Sequence, residues 1–430
     1  TALESRAAPV EHRLRARFTP MVIVLVVGAI ARVVLVPISF GQDFVVWRLV
    51  SSALLHGDNF YAHPPAHLPG GPYGYLPLFA YIELPFRLLS NVTPVSFTLL
   101  GKLPVLAGDV GVAWGISAWC RRSGMSYRNE VLAVGLWWLN PLVLYNGAFY
   151  GRFDSLCLAL LLAALLAGPP VPREDGRRSR SAIYFGLAVA AKTFPAFVLP
   201  WFIRNGRERA RFFWTTVLTT VLVSLPLILL SPVDVVKSVL LYDTNKTPTN
   251  MSWLLPLSQM WGKDMTRAIG TFVLLGFFVS LIALTSLELP EYCCAALCAF
   301  IVFSKVVNEQ YLVWVIPFLA VLYVTTRKRQ HLWLLGLYTA IGSLLNPFVH
   351  PIGRQGTMPT EWVNVVLALA TGAYLIWLVV DRRRAVARDA VVVIDRYLDA
   401  PEIVEPDMRP AARDIDGWRD LGDTRETTPS

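Results

Sequence analysis

Long apolar segments separated by short basic clusters constrain this chain more than any other feature. Residues 18–40, 131–149 and 362–380 are predominantly apolar over about the twenty residues that a helix needs to cross roughly 30 Å of hydrocarbon. Of the 430 residues, 55% are hydrophobic and only 16% are charged, whereas soluble domains contain about 25% charged residues. A soluble globule could not bury this much apolar surface. We therefore expect an all-α polytopic membrane protein.

The basic clusters predict the topology of the membrane helices. They fall at residues 13–17, 121–128, 173–180, 204–211, 327–329 and 382–388. Loops rich in Lys and Arg remain in the cytoplasm, so we place all six clusters inside, with both termini cytoplasmic and the protein in the plasma membrane. This placement of the basic clusters is consistent with ten spanning helices, which we predict near residues 19–38, 101–120, 131–148, 155–168, 212–230, 268–286, 290–304, 311–325, 332–347 and 362–381.

One apolar segment does not fit as a simple span. Residues 182–203 have basic clusters on both sides and contain Lys192, Pro195 and Pro200, and proline interrupts helices. We predict a re-entrant helical hairpin that enters from the cytoplasm. The alternative, a kinked span, would turn residues 204–211 outward and break the charge pattern.

The remaining segments predict the domain organisation. Residues 1–388 form the predicted transmembrane domain, in which 39–100 is the first external loop, with interfacial helices around 73–89. The polar tail, 389–430, is predicted to be a disordered cytoplasmic extension. Charged residues lead directly into the first apolar segment without a cleavage site, so we expect the first helix to stay in the mature chain.

The net charge and the cysteines exclude other classes of function. The charge of +9 comes from the topological clusters and does not indicate nucleic-acid binding. The cysteines all lie in or beside apolar stretches, without the Cys/His spacing of a metal site. We interpret them as buried, inert thiols. They are Cys120, Cys157, Cys293, Cys294 and Cys298.

Asp43 is the acid best placed for chemistry, because it follows the first helix at the predicted external surface. A carboxylate there can accept a proton from a hydroxyl group. The alternative is a solvated interfacial acid without a catalytic role. Asp58, in the turn-like HGDN, is interpreted as a helix cap.

Isolated charges stand beside aromatic residues and prolines at other predicted external helix ends. Cations that recur at one membrane face can bind a lipid phosphate. Each also has a structural interpretation, such as an ion pair between Arg152 and Asp154 or a snorkelling Lys305. These charges are Arg152, Asp154, Lys246, Lys305, Glu309, His350 and Arg354.

Lys192 lies about midway between two basic loops, inside an apolar segment. A charge at a membrane helix centre costs about 3 kcal/mol on insertion scales, so it needs a partner or a wet cavity. Asp109 and Asp154 are the available carboxylates. A structural ion pair and a direct contact with a lipid phosphate both remain open.

Six segments in a fixed order carry a family resemblance across residues 20–325: QDFVVW, YGYLPLFAY, GKLPVLAGDVGVAW, WWLNPLVLYNGAFYGRFDSL, GLAVAAKTFPAFVLP and FSKVVNEQYLVWVIPFLA. Together they resemble the GT-C superfamily of integral-membrane glycosyltransferases. The resemblance is to polyprenyl-phosphate-mannose-dependent mannosyltransferases of bacteria and archaea, and to glycosylphosphatidylinositol mannosyltransferase I. The first external loop of that family commonly carries two nearby acids, whereas here Gln42 precedes Asp43. This departure argues against a paired-carboxylate metal site and leaves Asp43 as the one catalytic carboxylate at the motif.

The resemblance implies a GT-C fold and inverting transfer of a sugar, with mannose favoured, from a polyprenyl-phosphate donor to a glycolipid, a lipid-linked glycan or a cell-envelope polymer at the extracytoplasmic face. No cofactor and no metal are expected, and the partners are these substrates and membrane lipids. A membrane lipid or solute transporter or flippase is the alternative, although the sequence shows no repeated halves. The resemblance also implies Asp43 as the base. The candidates for binding the donor phosphate are Lys305, Arg354, His350, Lys246 and Arg152. The candidates for supporting the substrate site are Tyr61, His63, Tyr75, Asp154, Glu309, Gln310 and Lys192.

Overall fold

The structure is a computed structural model that describes residues 2–38, 42–69, 73–168, 176–205, 208–239, 249–352 and 358–398. Contacts divide the chain into one unit that ends at Val380 and another that begins at Asp381. In the second unit the described part is the end of a long helix. The first ten residues of the predicted disordered tail, 389–398, form the end of this helix, the rest of the tail lies outside the described residues, and the predicted domain boundary at 388 stays a prediction.

Most of the described residues are helical, as the sequence predicts. In the first half of the chain the helices are α1 (Ala2–Leu35), α2 (Gln42–Leu55), α3 (Leu78–Val92), α4 (Phe97–Leu100), α5 (Lys102–Arg122), α6 (Tyr127–Trp138), α7 (Pro141–Leu144), a π-helical turn (Tyr145–Phe149), α8 (Asp154–Ala167), α9 (Gly176–Ala191), a 3₁₀ turn (Phe194–Val198) and α10 (Leu199–Asn205).

The second half continues the pattern, with one short exception. Two-residue strands β1 (Thr249–Asn250) and β2 (Val306–Val307) pair in parallel. The helices are α11 (Arg209–Leu230), α12 (Pro232–Val239), α13 (Leu254–Trp261), α14 (Lys263–Ala283) with a 3₁₀ turn (Leu284–Ser286), α15 (Leu289–Phe303), a 3₁₀ turn (Glu309–Trp314), α16 (Ile316–Thr326), α17 (Arg329–Ile352) and α18 (Met358–Leu398).

The helices coincide with the ten predicted spanning segments, although several are shorter than a full crossing. Among the described residues, five helices are long and apolar enough to cross a membrane, or six if the bent pair of α6 with α7 and its π turn is one span. The bend of 46° lies at Asn140 and Pro141, where the Asn140 side chain accepts a hydrogen bond from the Leu142 N–H at 2.9 Å and starts a new helix. The number of spans stays a prediction.

Small residues bring α5 and α8 into close contact. Gly108, Gly111 and Gly115 occupy one stripe of α5, and a Cβ atom at Gly108 would lie only 2.4 Å from the backbone nitrogen of Leu156. Stripes of small residues let membrane helices approach closely, and dispersion contacts then hold them together. This contact places the beginning of α8, and the loop before it, beside α5.

A buried ion pair joins α1 to α5. The Arg32 Nε atom lies 2.8 Å from the Asp109 carboxylate, and both side chains are almost completely buried. Arg32 also donates a hydrogen bond to the Trp138 carbonyl at 2.8 Å, and its guanidinium carbon lies 3.6 Å from the Trp138 ring centroid. Asp109 is therefore committed to Arg32 and is not the partner of Lys192.

The segment predicted as a re-entrant hairpin turns back on itself. Arg211 on α11 donates to Ser179 on α9, and further along both helices Thr220 donates to the Gly186 carbonyl. The order of these contacts shows that α9 and α11 run in the same direction. The chain between them, which contains the 3₁₀ turn and α10, must return to the end where α9 began. The side of the membrane from which the hairpin enters stays a prediction.

The segment predicted as the first external loop contains the buried acid Glu83. This side chain on α3 is fully buried, and neither carboxylate oxygen has a hydrogen-bond partner among the described residues. A Cβ atom at Gly101 would lie 2.7 Å from its Oε2 atom, so the backbone there covers the carboxyl group. Burial disfavours the charged form and raises the pKa of Glu83 from 4.5 to about 9.

Labelling of introduced cysteines tests the topology. We expect Ser179→Cys and Arg211→Cys to be protected from an impermeant thiol reagent added to intact cells, whereas His63→Cys in the first loop should react. The five native cysteines are buried and unpaired, as predicted, so they provide a low background. If only one of the two positions were labelled, the hairpin would be contradicted. If both were labelled, the hairpin would stand, but it would enter from the outside of the membrane and not from the cytoplasm.

The shifted pKa of Glu83 predicts a pH dependence of stability. The folded protein retains the proton up to a pH of about 9, whereas the unfolded chain loses it near 4.5. The free energy of unfolding should therefore fall as the pH rises between these values, because the folded state binds the extra proton. We expect Glu83→Gln to flatten this fall in denaturation curves recorded in detergent. Asp58→Asn, at an exposed position, is the control; an unchanged slope in Glu83→Gln would contradict the assignment.

Candidate active site

Three charged side chains from separate parts of the chain meet at the beginning of α2. Asp43 lies in the first turn of this helix, and its Oδ2 atom lies 2.7 Å from the Nε atom of Arg152. The Nη2 atom of Arg152 in turn lies 2.8 Å from the Oε1 atom of Glu309. Arg152 thus bridges two carboxylates. The suggested ion pair between Arg152 and Asp154 is wrong, because the guanidinium points to these acids.

Exposure distinguishes the two carboxylates. The Glu309 side chain is 3% exposed and Arg152 is 14% exposed, whereas Asp43 is 30% exposed. Burial by itself lowers the pKa of Arg152, but the charges of Glu309 and Asp43 outweigh it and raise that pKa overall. The guanidinium is therefore a fixed positive charge. Asp43 is the open end of this cluster, the carboxylate that a substrate can reach.

Gly151 permits the contact between Asp43 and Arg152. Its φ angle is +70°, in the left-handed region that glycine adopts most readily. A Cβ atom at this position would lie 1.8 Å from Cε2 of Phe44, the residue that follows Asp43. Any side chain here would push the two segments apart. The sequence FYGRF therefore sets the distance between the acid and the arginine.

A second, fully buried ion pair lies next to the first cluster in sequence. The Lys192 Nζ atom is 2.6 Å from the Asp154 Oδ1 atom, and both side chains are at most 5% exposed. Trp314 donates its indole N–H to the same oxygen at 2.5 Å, and Asn146 donates to Oδ2 at 3.4 Å. Of the two partners that the sequence offers for Lys192, the structure selects Asp154.

Aromatic rings surround the ammonium group of Lys192. The Nζ atom lies 5.2 Å from the ring centroid of Phe153, 5.3 Å from Tyr75, 5.4 Å from Trp314 and 5.7 Å from Tyr311. Ring faces attract a cation at this distance, and the attraction increases when water is excluded. The ion pair and the rings together compensate for the loss of hydration.

Tyr61 and His63, both predicted from the first loop, have different surroundings. The Tyr61 hydroxyl donates to the Tyr75 carbonyl at 2.6 Å, and its ring packs against Phe60 and Tyr73. Tyr61 therefore supports the chain that carries Tyr75. His63 is exposed to solvent, and the structure does not bring it into the charged clusters.

Of the remaining candidate residues, one lies beside the charged cluster, one lies beside β2, and the others fall outside the described residues. Gln310 is buried directly after Glu309. Lys305 lies beside β2, with its aliphatic stem near Gly270 of α14. Lys246, Arg354 and the side chain of His350 fall outside the described residues. Within the part of the chain that the structure describes, no three His, Cys, Asp or Glu side chains are placed to hold a metal ion.

Sequence reasoning missed three residues that hold the buried ion pair. Trp314, Asn146 and Phe153 were seen only as parts of aromatic or apolar segments. Two of them stand near charged candidates in the sequence, because Phe153 directly precedes Asp154 and Trp314 follows Glu309 by five residues. None of the three side chains is charged, so only the contacts with Lys192 and Asp154 reveal their role.

Two solved structures of ArnT from Cupriavidus metallidurans are similar to the chain, each with a TM-score of 0.49. The apo structure is 14% identical and the comparison covers 84% of this chain and 71% of ArnT. The structure bound to undecaprenyl phosphate is 15% identical, with 85% and 72% covered. No curated protein sequence is a significant match.

A family model gives the identity. Glycosyltransferase family 87 matches residues 73–304, which is more than half of the chain. The matched range contains Arg152, Asp154 and Lys192, whereas Asp43 and Glu309 lie outside it. The predicted GT-C resemblance is confirmed, because this family is a GT-C family. The chain belongs to glycosyltransferase family 87 and is a multi-pass membrane glycosyltransferase of the GT-C class.

Proposed function

We propose that this protein transfers a sugar, mannose by its resemblance to the mannosyltransferases, from a polyprenyl-phosphate donor to a glycolipid or another lipid-linked or cell-envelope glycan. The family assignment supports glycosyl transfer. The observation that carries the proposed mechanism is the partly exposed Asp43 carboxylate, which Arg152 and the buried Glu309 hold in place. A fixed, reachable carboxylate is what deprotonation of an acceptor hydroxyl requires.

The two oxygens of Asp43 have different roles in this mechanism. Oδ2 is bound to Arg152, which orients the carboxylate, and in the proposed mechanism Oδ1 receives the proton of the acceptor hydroxyl. The acceptor hydroxyl loses its proton to Asp43 as its oxygen attacks the anomeric carbon. The bond from that carbon to the donor phosphate breaks, and the electron pair leaves with the phosphate. Attack opposite the leaving group inverts the anomeric centre.

The departing phosphate needs positive charge that this cluster does not supply alone. Asp43, Arg152 and Glu309 together carry one excess negative charge, and the pair of Lys192 with Asp154 is neutral. The Nη1 atom of Arg152 is buried without a hydrogen-bond partner among the described residues, so it can donate one bond to a phosphate oxygen. Further cations must complete the clamp, and the sequence candidates for them are Lys305, Lys246, Arg354 and His350.

The arrangement of the charges favours the transferase over a lipid or solute transporter. A transporter uses intramembrane charges along a path that opens to each side in turn. Here Lys192, the charge deepest in an apolar segment, is closed off by Asp154, Trp314 and the surrounding rings. We propose that the active site faces the extracytoplasmic side, since the segments that contain Asp43 and Arg152 belong to predicted external loops.

Substitution of Asp43 tests the proposed base. Asp43→Asn keeps the size and the contact with Arg152 but cannot accept a proton, so we expect transfer to fall by roughly 10² to 10⁴. The assay uses purified full-length protein, radiolabelled polyprenyl-phosphate mannose and a panel of glycolipid acceptors. Asp58→Asn is the matched control, because Asp58 lies in the same loop and is exposed; it should retain wild-type transfer.

Other results of this assay would contradict parts of the proposal. Near wild-type transfer by Asp43→Asn would remove Asp43 as the base. If the wild type transferred glucose from labelled polyprenyl-phosphate glucose but no mannose, the donor sugar would be corrected and the proposed base would stand. Movement of the labelled lipid across a bilayer without glycosidic bond formation would support the transporter.

Substitution of Lys192 tests whether its role is structural. Lys192→Met leaves the Asp154 carboxylate buried without its counter-ion, which costs about 3–5 kcal/mol when a buried pair is broken. We expect a large loss of thermal stability in detergent. The double variant Lys192→Met/Asp154→Asn should regain part of it, because the neutral amide oxygen still accepts from Trp314. A stable Lys192→Met with weaker donor binding would instead indicate direct contact with the donor phosphate.

A further inference from the structure

A groove of about 780 Å³ lies between α1, α5 and α6, away from the charged clusters. Its walls are apolar for most of their length and include Met21, Leu25, Val110 and Trp114. The side chains of Leu25, Val110 and Trp114 are exposed, so the groove opens to the surroundings of the helices. The volume is within the range of about 300–1,000 Å³ that is typical of small-molecule sites.

The groove has one polar end. Glu130 on α6 accepts a hydrogen bond from Ser117 at 2.5 Å and lies 3.3 Å from the Nη1 atom of Arg121. The Arg121 side chain is 59% exposed, and a guanidinium has five N–H donors. Its contact with Glu130 therefore leaves donors for another anion. Arg122 and Arg128 are exposed at the same end, so positive charge exceeds the single negative charge of Glu130.

The length of the groove matches one leaflet. On α5 its residues extend from Val110 to Arg121, which is roughly 16 Å at 1.5 Å per residue. This is about half of the roughly 30 Å hydrocarbon thickness. Lipid chains from one leaflet would fill the groove with their headgroup at Arg121, whereas a long polyprenyl chain would extend beyond it.

The groove and the candidate active site lie at opposite ends of α5. The Lys102 Nζ atom, at the beginning of this helix, donates to the Phe149 carbonyl at 2.9 Å, close to Arg152. Arg121 is almost at the other end, roughly 30 Å away along the axis. The groove therefore belongs to the leaflet opposite the candidate active site and is separate from the donor and acceptor positions.

We propose that this groove binds one anionic glycerophospholipid, with its acyl chains between α1 and α5 and its phosphate at Arg121. The chemistry that recognises it is an apolar channel one leaflet long that ends at the Arg121 guanidinium. Arginine suits a phosphate because its planar fork can donate two parallel hydrogen bonds. The bound lipid bridges α1 to α5 along the part of their interface where the groove separates them.

The test compares lipid binding by purified full-length protein, measured by native mass spectrometry and by thermal unfolding in detergent with added phosphatidylglycerol or phosphatidylcholine. We expect the wild type to bind phosphatidylglycerol in preference and to be stabilised by it. Arg121→Gln should weaken phosphatidylglycerol binding about tenfold, the effect of losing one charge-assisted hydrogen bond, with little change for phosphatidylcholine. Arg209→Gln, which carries the same charge change at an exposed position on α11 outside the groove, should bind as the wild type does.

A second pair of variants tests the channel itself. Ala113→Phe fills the buried floor of the groove and should weaken binding of both lipids, while Ala373→Phe on the exposed face of α18 should not. Equal binding of the two lipids by the wild type would overturn the proposal. It would also be overturned if Arg121→Gln kept the preference for phosphatidylglycerol. Should Ala113→Phe fail to fold, Arg121→Gln still decides, because its side chain is mostly exposed.

Discussion

The bridge that Arg152 makes between Asp43 and Glu309 is the interaction on which the candidate site depends. It joins α2, the loop before α8 and the 3₁₀ turn before α16. A charge that leaves water must recover its lost hydration from an opposite charge or from hydrogen bonds. Each of the three side chains satisfies this requirement for another, so the three segments are held at one place. Gly151 makes the bridge possible, because Phe44 occupies the space that a side chain would need.

The two charged clusters compensate for lost hydration in different ways. Lys192 and Asp154 form a neutral pair that is closed by an indole N–H and by four aromatic rings. Asp43, Arg152 and Glu309 carry an excess negative charge and remain open at Asp43. The closed pair fixes the hairpin that carries Lys192 against the beginning of α8. In the proposed mechanism the open cluster offers its carboxylate to the acceptor, and further cations are needed to bind the donor phosphate.

Helix α5 relates the parts of the molecule to one another. Its glycine stripe admits α8 and so positions the loop that carries Arg152. Asp109, in its middle, binds Arg32 and fixes α1. Its first residue contacts the backbone near the charged cluster, and its last turn carries the arginine at the end of the lipid-sized groove. One helix thus separates the proposed chemistry from the proposed lipid site by roughly the thickness of the hydrocarbon layer.

The hydropathy pattern was enough to predict the class of fold, because hydrophobic segments of this length have few stable alternatives to membrane helices. Isolated charges beside apolar segments are costly, so the sequence also identified the charged residues of the candidate site. These are Asp43, Arg152, Asp154, Lys192 and Glu309. The pairing of these charges was decided only by the tertiary structure. Arg152 is two residues from Asp154 in sequence, yet the left-handed turn at Gly151 directs it to Asp43 and Glu309. Lys192 had two possible partners, and the ion pair of Arg32 with Asp109 left only one. Hydropathy and charge spacing act along the chain and can be read from it, whereas the choice of a counter-ion depends on which helices pack together.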